Sequence, residues 1–226
     1  MSNCYAVILA RGGSKGIPRK NLLPINGKPL IQYTIEQCLE SDITDIYTSS
    51  DCDEILEIAA KFGSKVIKRP SEFSLDSSTS ESAWIDSLKN IKNLDDKNDW
   101  IFAPQVTSPI RSFNDINKAI KMAFSDKYDS ILSGIEFEDF FLWSQHEDSL
   151  NSLNYDFKTR KRRQEINEKT YLENGSFYMF KPYGIKKFHN RLYGKIGICT
   201  MDKIKMFQID TPSDKNLIEK IIKVSK

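Results

Sequence analysis

The residues best suited to chemistry in this 226-residue chain form a glycine-rich, basic segment at residues 9–21. Gly12, Gly13 and Gly16 would let backbone N–H groups approach an anion without interference from a Cβ atom. Ser14 adds a hydroxyl group, and the cationic side chains of the segment are Arg11, Lys15, Arg19 and Lys20. This combination indicates a phosphate-binding loop, the alternative being a flexible basic surface loop.

The flanking sequence favours phosphate binding. An apolar run over residues 5–9 predicts a strand before the loop, and a helical period begins near residue 28. A strand before and a helix after are the setting in which glycine-rich loops hold phosphate. The spacing matches neither the Walker pattern nor the dinucleotide pattern Gly-x-Gly-x-x-Gly, so this segment alone does not name the ligand.

Hydrophobic periodicity predicts that strands and helices alternate along the chain. Strands are expected at residues 5–9, 43–49, 64–67, 99–103, 130–133, 176–180, 196–200 and 206–209. Helices are expected at residues 28–40, 53–62, 80–94, 113–124 and from residue 212 onward. This alternation predicts an α/β fold with a mostly parallel sheet and right-handed crossovers.

Polar residues follow several of these strands, at the edge where a parallel sheet binds its ligands. They are Asp51, Arg69, Gln105, Thr107, Ser108 and Asp210. Asp210 also precedes a predicted helix, so its carboxylate could cap that helix or hold Mg²⁺ against phosphate oxygens. We favour the metal role, because a phosphate loop is predicted in the same sheet.

Composition limits the other classes of function. The 33 basic and 31 acidic residues give a net charge of +2, which creates no global attraction to nucleic acid or to a membrane. The scattered cysteines lack any Cys-x-x-Cys pair, so Cys4 and Cys38 are expected to be buried reduced thiols rather than zinc ligands. A leader segment and a membrane-length apolar run are both missing from the sequence, which predicts a soluble cytoplasmic protein.

The helical period fades after residue 135. Aromatic residues cluster near Phe137, Phe140, Phe141 and Trp143, and residues 158–163 are nearly all basic. We expect an excursion of loops and short antiparallel strands whose aromatics form either a subunit contact or a satellite core. The basic run is expected to be a solvated loop or an anion-binding arm rather than an RNA site.

Several stretches of the sequence resemble those of a known family. Residues 9–21, Leu-Ala-Arg-Gly-Gly-Ser-Lys-Gly-Ile-Pro-Arg-Lys-Asn, resemble the N-terminal signature of the CMP-sialic acid synthetases (acylneuraminate cytidylyltransferases). Arg69-Pro70 and the serine-rich segment through Ser80 are similar to the cytosine-binding region of that family. The box Gln-Val-Thr-Ser-Pro-Ile-Arg at residues 105–111, Arg163-Gln164 and residues 173–178 also match in order.

The resemblance implies a cytidylyltransferase that joins CTP to a nine-carbon 2-keto-3-deoxy sugar acid, giving the CMP-sugar and pyrophosphate. It implies a Rossmann-like three-layer body at residues 1–135 and 176–226, with a dimerisation and sugar-site arm at residues 136–175. A homodimer and a Mg²⁺ cofactor are implied as well.

The resemblance also implies roles for individual residues. Catalysis would depend on Lys20, Arg11 and Asp210, with Asp210 as the Mg²⁺ ligand. The nucleotide would be bound by Arg11, Gly12, Gly13, Ser14, Lys15, Lys20, Asn21, Arg69 and Ser80. The sugar would be bound by Gln105, Thr107, Ser108, Arg163, Gln164 and Asn174.

Two positions depart from the family pattern. Gln208 stands where many members carry a second acidic residue, and Leu172 stands where some carry an arginine. The acceptor could therefore be sialic, legionaminic or pseudaminic acid, or a shorter keto-deoxy acid. The alternatives are a nucleotidyltransferase for a sugar 1-phosphate and a non-catalytic nucleotide-binding protein.

Overall fold

A seven-stranded sheet forms the centre of the protein in a computed structural model that describes residues 2–137, 141–165 and 168–224. The strands in chain order are β1 (Cys4–Leu9), β2 (Pro24–Ile25), β3 (Lys28–Pro29), β4 (Asp45–Ser50), β5 (Lys65–Lys68), β6 (Trp100–Pro104), β7 (Ser130–Phe137), β8 (Trp143–His146), β9 (Ser149–Ser152), β10 (Thr170–Phe180) and β11 (Ile196–Thr200). The helices are α1 (Leu30–Leu39), α2 (Asp53–Lys61), α3 (Ser80–Leu88), α4 (Phe113–Ala123), α5 (Pro182–Phe188) and α6 (Pro212–Val224).

The central sheet has the spatial order β11-β7-β10-β6-β1-β4-β5. The neighbours of β1, which are β4 and β6, both run parallel to it, and β10 is antiparallel to both β6 and β7. The mostly parallel α/β sheet predicted from the sequence is therefore confirmed. Because parallel strands end at the same edge, the segments that follow β1, β4, β5 and β6 meet there.

Helices cover both faces of the sheet, since each face of a parallel sheet must be shielded from water. One core combines side chains of β1, β6, β7 and β10 with those of α1, α2, α4 and α6, including the fully buried Phe102 and Phe177. The other core packs α3 and α5 against the opposite face through the buried Trp84 and Ile185. These helix, sheet and helix layers confirm the predicted three-layer body.

Several elements differ from the sequence prediction, and the short strands β2 and β3 were not predicted. The helix that starts at Ser80 ends at Leu88 rather than near residue 94, and α5 was not predicted because its seven residues show no apolar period. The strand predicted at residues 206–209 is wrong, since a 3₁₀ helix spans Lys203–Met206. Ile209 of this segment bonds to a loop instead of a strand: its backbone N–H donates to the carbonyl of Thr107 at 2.9 Å.

The predicted arm contains the hairpin of β8 and β9. Trp143 packs on Tyr155 and Phe157 with ring centroids 5.8 and 5.5 Å apart, and Phe141 lies 4.4 Å from Tyr155. The predicted cluster member Phe140 lies outside the described residues. The main sheet continues into the predicted arm range, because Thr170 of β10 pairs with Phe137 of β7. The division between body and arm stays a prediction.

The cysteines and the helices bear on two further expectations. Cys4 and Cys38 are buried free thiols, as predicted, and burial raises the pKa of the Cys38 thiol to about 12. In the described ranges, every helix is too short or too polar to cross a membrane.

Candidate active site

A cleft of about 390 Å³ opens at the edge where the parallel strands end. Its walls come from the loop after β1, the segment between β5 and α3, and the loop after β6. The lining includes eight residues that the sequence assigned to a site, which are Arg11, Ser14, Lys20, Asn21, Arg69, Ser80, Gln105 and Thr107. Segments far apart in sequence thus bring most of the expected nucleotide-binding residues to one cavity.

The glycines of the loop after β1 allow close approach of other segments. The Gly12 amide donates to Asp51 Oδ1 at 2.9 Å, which joins this loop to the residue that follows β4. A Cβ atom at Gly16 would lie 2.8 Å from the backbone oxygen of Asp210, whereas one at Gly13 would meet nothing within 4 Å. Gly16 is therefore required for contact with residue 210, while Gly13 leaves open space.

Asn21 stabilises the loop from within. Its side chain is buried, and its Nδ2 donates to the backbone carbonyl of Arg11 at 2.9 Å. Arg19 adopts a left-handed backbone conformation (φ 55°), which turns the chain into the short 3₁₀ helix Lys20–Leu22. These features place Lys20 and Asn21 on the wall of the cleft.

Arg11 and Lys15 both contact a carboxylate that the sequence analysis did not single out. Arg11 Nη1 lies 3.1 Å from Asp76 Oδ1, and Lys15 Nζ lies 3.0 Å from Asp76 Oδ2. Hydrogen bonding from Lys15, with a further contribution from Arg11, lowers the pKa of Asp76. Asp76 lies in a polar, serine-rich run without periodicity, so no local pattern could have indicated this contact.

Lys20 and Arg19 are also paired with carboxylates. Lys20 Nζ lies 2.8 Å from Asp210 Oδ1, and Arg19 forms an ion pair with Glu54 in the first turn of α2. The Lys20 side chain is 15% exposed and the Asp210 side chain 66% exposed. Asp210 therefore presents a solvent-accessible carboxylate beside a nearly buried cation.

The start of α6 bears on the capping role considered for Asp210, whereas its metal role stays a prediction. The backbone N–H groups of Asp210 and Thr211 donate to Asp214 Oδ2 at 3.0 and 2.7 Å, and the Asp214 amide donates to Thr211 Oγ1 at 3.3 Å. The hydrogen bonds that the Asp214 carboxylate accepts, led by that from the Asp210 amide, lower the pKa of Asp214. Thr211 and Asp214 thus cap the helix, and the carboxylate of Asp210 is directed to Lys20 instead.

Arg69 and the start of α3 line another part of the cleft. Arg69 is buried, and its Nε donates to Ser49 Oγ at 3.0 Å. Burial lowers the pKa of Arg69, although the nearby Asp51 carboxylate acts in the other direction. Ser80 is the first residue of α3, which Thr79 caps by accepting from the Ser82 amide at 3.2 Å. The oriented guanidinium of Arg69 and the N-terminus of α3 therefore line this part of the cavity.

Thr107 is held in place by Gln208. Thr107 Oγ1 donates to Gln208 Oε1 at 3.2 Å, and Gln208 Nε2 donates to the backbone carbonyl of Asn174. Gly175 has φ +60°, and a Cβ atom there would lie 2.6 Å from Gln208 Nε2. Both ends of the Gln208 amide are thus used to connect the loop after β6 with β10.

The remaining expected sugar-site residues lie elsewhere. Asn174 is buried, where its Oδ1 accepts from Ser133 Oγ at 2.7 Å and its Nδ2 donates to the Lys205 carbonyl at 3.1 Å. Ser108 is also buried, and its hydroxyl has no partner among the described residues. Gln164 is exposed and outside the cleft lining, and the side chain of Arg163 lies outside what the structure describes.

Arg111 completes the box at residues 105–111 as a structural residue. Its Nη1 donates to the Ser176 carbonyl at 2.7 Å, and the Gln105 amide donates to the same carbonyl at 2.9 Å. Complete burial lowers the pKa of Arg111 to about 10. Arg111 and Gln105 therefore fix the loop after β6 to β10 and so position the far wall of the cleft.

Fold and site together define the class: an α/β protein with a cleft at the strand ends of a mostly parallel sheet, lined by the cations Arg11, Lys20 and Arg69 and by the carboxylate of Asp76. A family model described as cytidylyltransferase matches residues 5–225. The chain belongs to the cytidylyltransferase family, and the resemblance found in the sequence is confirmed at that level.

Named relatives and a solved structure agree with this membership. N-acylneuraminate cytidylyltransferase B of Danio rerio is 36% identical over 208 residues, which are 90% of this chain but 46% of that protein. Pseudaminic acid cytidylyltransferase of Campylobacter jejuni is 34% identical over 178 residues, covering 76% of this chain and 75% of that protein. The chain thus spans less than half the length of the fish relative.

The fold is shared with a solved structure titled CMP:2-keto-3-deoxy-manno-octonic acid synthetase complexed with CTP. The two structures superpose with a TM-score of 0.73 at 14% identity, and all of both chains is covered. At this identity the likeness concerns the fold alone.

The contact at Gly16 gives a testable prediction. G16A should lower the free energy of unfolding by about 1–3 kcal/mol, because the new Cβ atom must displace the backbone of residue 210. G13A is the matched control and should change stability by less than about 0.5 kcal/mol, since its Cβ atom enters open space. Urea unfolding followed by circular dichroism measures the free energy of unfolding of both variants. Equal stability of the two variants would contradict the close contact.

Proposed function

We propose that this chain transfers CMP from CTP to a nine-carbon 2-keto-3-deoxy sugar acid and releases pyrophosphate. The observation that carries the proposal is the cleft itself, which unites the glycine loop, Arg69, Ser80 and the Gln105–Thr107 wall. The names of the relatives support cytidylyl transfer to a sugar acid, because they are an N-acylneuraminate and a pseudaminic acid cytidylyltransferase.

Two groups of cleft residues suit the two parts of CTP. Arg69 and Ser80 would bind cytosine, and the guanidinium of Arg69 is already oriented by Ser49. The triphosphate would lie along the glycine loop, where Arg11, Lys15 and Lys20 supply positive charge. An oriented site loses little free energy to reorganisation when the ligand binds.

The reaction needs positioning and charge stabilisation more than covalent chemistry. The anomeric hydroxyl of the sugar forms a bond to the α-phosphorus, the bond from that phosphorus to the bridging oxygen breaks, and the hydroxyl proton passes to solvent. Negative charge then grows on the departing pyrophosphate. Lys20 and the loop amides would stabilise that charge, and the wall formed by Gln105 and Thr107 would hold the acceptor in line.

The residues at Asp210 fit a Mg²⁺ ion bound mainly through substrate. Mg²⁺ usually takes one or two protein carboxylates plus phosphate oxygens, and Asp210 offers one exposed carboxylate beside Lys20. In the described ranges no cluster of three or more His, Cys, Asp or Glu exists, and Gln208 is engaged with Thr107 and Asn174. When bound, Mg²⁺ would neutralise phosphate charge and lower the pKa of the attacking hydroxyl.

The arm is proposed to form a homodimer and to bring Arg163 and Gln164 toward a sugar site. The dimer proposal is supported by the exposure of apolar residues in the arm, because Trp143, Leu150 and Leu153 are 43%, 62% and 62% exposed. Exposed apolar side chains grouped on one hairpin are typical of interfaces.

The first test is an acceptor panel. Pyrophosphate release from CTP should be at least about tenfold faster with one nine-carbon acid than with a 3-deoxy-octonic acid or a sugar 1-phosphate, because pocket contacts of one or two groups are worth about that factor. UTP and ATP serve as nucleotide controls. Turnover only with a sugar phosphate would favour the alternative transferase, and CTP binding without turnover would favour a non-catalytic protein.

The second test removes the proposed metal ligand. D210N should lower kcat about a hundredfold at fixed Mg²⁺, because the metal contributes several kcal/mol of charge stabilisation. D202N is the matched control, since Asp202 is 82% exposed and lies in the same segment. Initial rates over a Mg²⁺ titration measure the effect. Unchanged rates and an unchanged Mg²⁺ dependence in D210N would rule out Asp210 as the ligand.

The third test concerns assembly. Light scattering should give about twice the chain mass of 26.0 kDa, and W143A should shift the equilibrium toward that single-chain mass. F188A is a suitable control, because Phe188 is 51% exposed on the body of the protein. A monomeric wild type at micromolar concentration would contradict the proposed dimer.

A further inference from the structure

The carboxylate of Asp76 occupies the position that suits a phosphate group. Its two oxygens contact different cations of the glycine loop, Arg11 through Oδ1 at 3.1 Å and Lys15 through Oδ2 at 3.0 Å. A phosphate group would offer the same cations two oxygens in a similar arrangement. Asp76 also lines the cleft, so the contact lies where a ligand must enter.

A folded turn holds Asp76 against the glycine loop. The Phe73 amide donates to the Pro70 carbonyl at 3.1 Å, and Ser78 Oγ donates to the Glu72 carbonyl at 2.7 Å. The turn connects Arg69 to the N-terminus of α3, which fixes it at both ends. The segment that would read the base therefore also carries a negative charge across the cleft to the loop that would bind phosphate.

We propose that Asp76 is an internal counter-anion of the glycine loop, which the phosphates of a ligand displace. Asp76 thereby weakens the binding of both the triphosphate substrate and the pyrophosphate product. The identity of these ligands rests on the proposed function, whereas the competition between Asp76 and a polyphosphate rests on the ion pairs.

The exposure of the ion pairs makes this displacement feasible. The side chains of Asp76 and Lys15 are 55% and 73% exposed, and exposed pairs contribute little to stability. A polyphosphate carries more charge than one carboxylate and would also contact Lys20 and the loop amides. It therefore displaces the Asp76 carboxylate from the loop cations. The loop cations then pass from one anion to another without being left unpaired, which speeds the release of pyrophosphate after the reaction.

The test is the affinity for inorganic pyrophosphate, measured by calorimetry with EDTA present so that metal is not a variable. D76N should bind pyrophosphate about fivefold more tightly than the wild type, which corresponds to ~1 kcal/mol and to the upper range for an exposed pair. D76A should change affinity in the same direction, and D76E should stay within about twofold of the wild type because it retains the charge. CTP should follow the same order.

The matched control is D96N. Asp96 pairs with Lys186 at 2.7 Å and lies outside the cleft lining, so its substitution changes the net charge equally without touching the loop. Tightening in D76N beyond that in D96N supports the inference. Unchanged or weaker pyrophosphate binding in D76N, or no detectable binding in any variant, would overturn it.

The proposed function is judged separately by the acceptor panel. Tightening in D76N combined with a failure to form any CMP-sugar would overturn only the proposed function. CMP-sugar formation combined with unchanged affinity in D76N would overturn only the role of Asp76.

Discussion

The parallel pairing of β1 with β4 and β6 is the constraint on which the site depends, because it brings the ends of these strands to one edge of the sheet. The loop that follows β1 carries most of the positive charge at that edge. Every basic side chain of that loop forms an ion pair with a carboxylate from another segment, and these carboxylates are Asp76, Glu54 and Asp210. The partners come from the turn before α3, the start of α2 and the segment before α6. These ion pairs join three distant parts of the chain to the loop after β1, and the pair of Arg11 with Asp76 lies on the wall of the cleft.

Much of the fold could be predicted because its information is local. Buried strands and amphipathic helices leave a periodic pattern, and a parallel sheet follows from their alternation. The sheet edge, the three layers and α6 were accessible in this way. The segment at residues 206–209 was not, because its Ile209 amide and its Gln208 side chain both bond to Thr107, a loop residue, rather than to a strand. The tertiary structure alone determines that this segment contacts Thr107, and no local sequence pattern indicates it.

The site was partly predictable for a similar reason. Arg11 and Arg69 stand next to strand ends, where sheet geometry makes a polar residue informative. Asp76 carries no such signal, since an aspartate in a serine-rich run is ordinary surface composition. Asn174 illustrates the opposite case: its motif is recognisable in the sequence, but its side chain is enclosed and hydrogen-bonded within the protein. A motif can therefore mark a residue that supports the cleft wall rather than one that faces the ligand.

The pairing of Thr170 with Phe137 has a consequence for how the chain can vary. The two strands meet where the arm leaves and re-enters the sheet, so the intervening segment is a closed loop with its ends already joined. Doubling the length of such a loop adds only about 0.6 kcal/mol of closure entropy. Insertions, deletions or grafted sequences between these two strands should thus be tolerated by the body, because the sheet holds the ends of the segment together whatever its length.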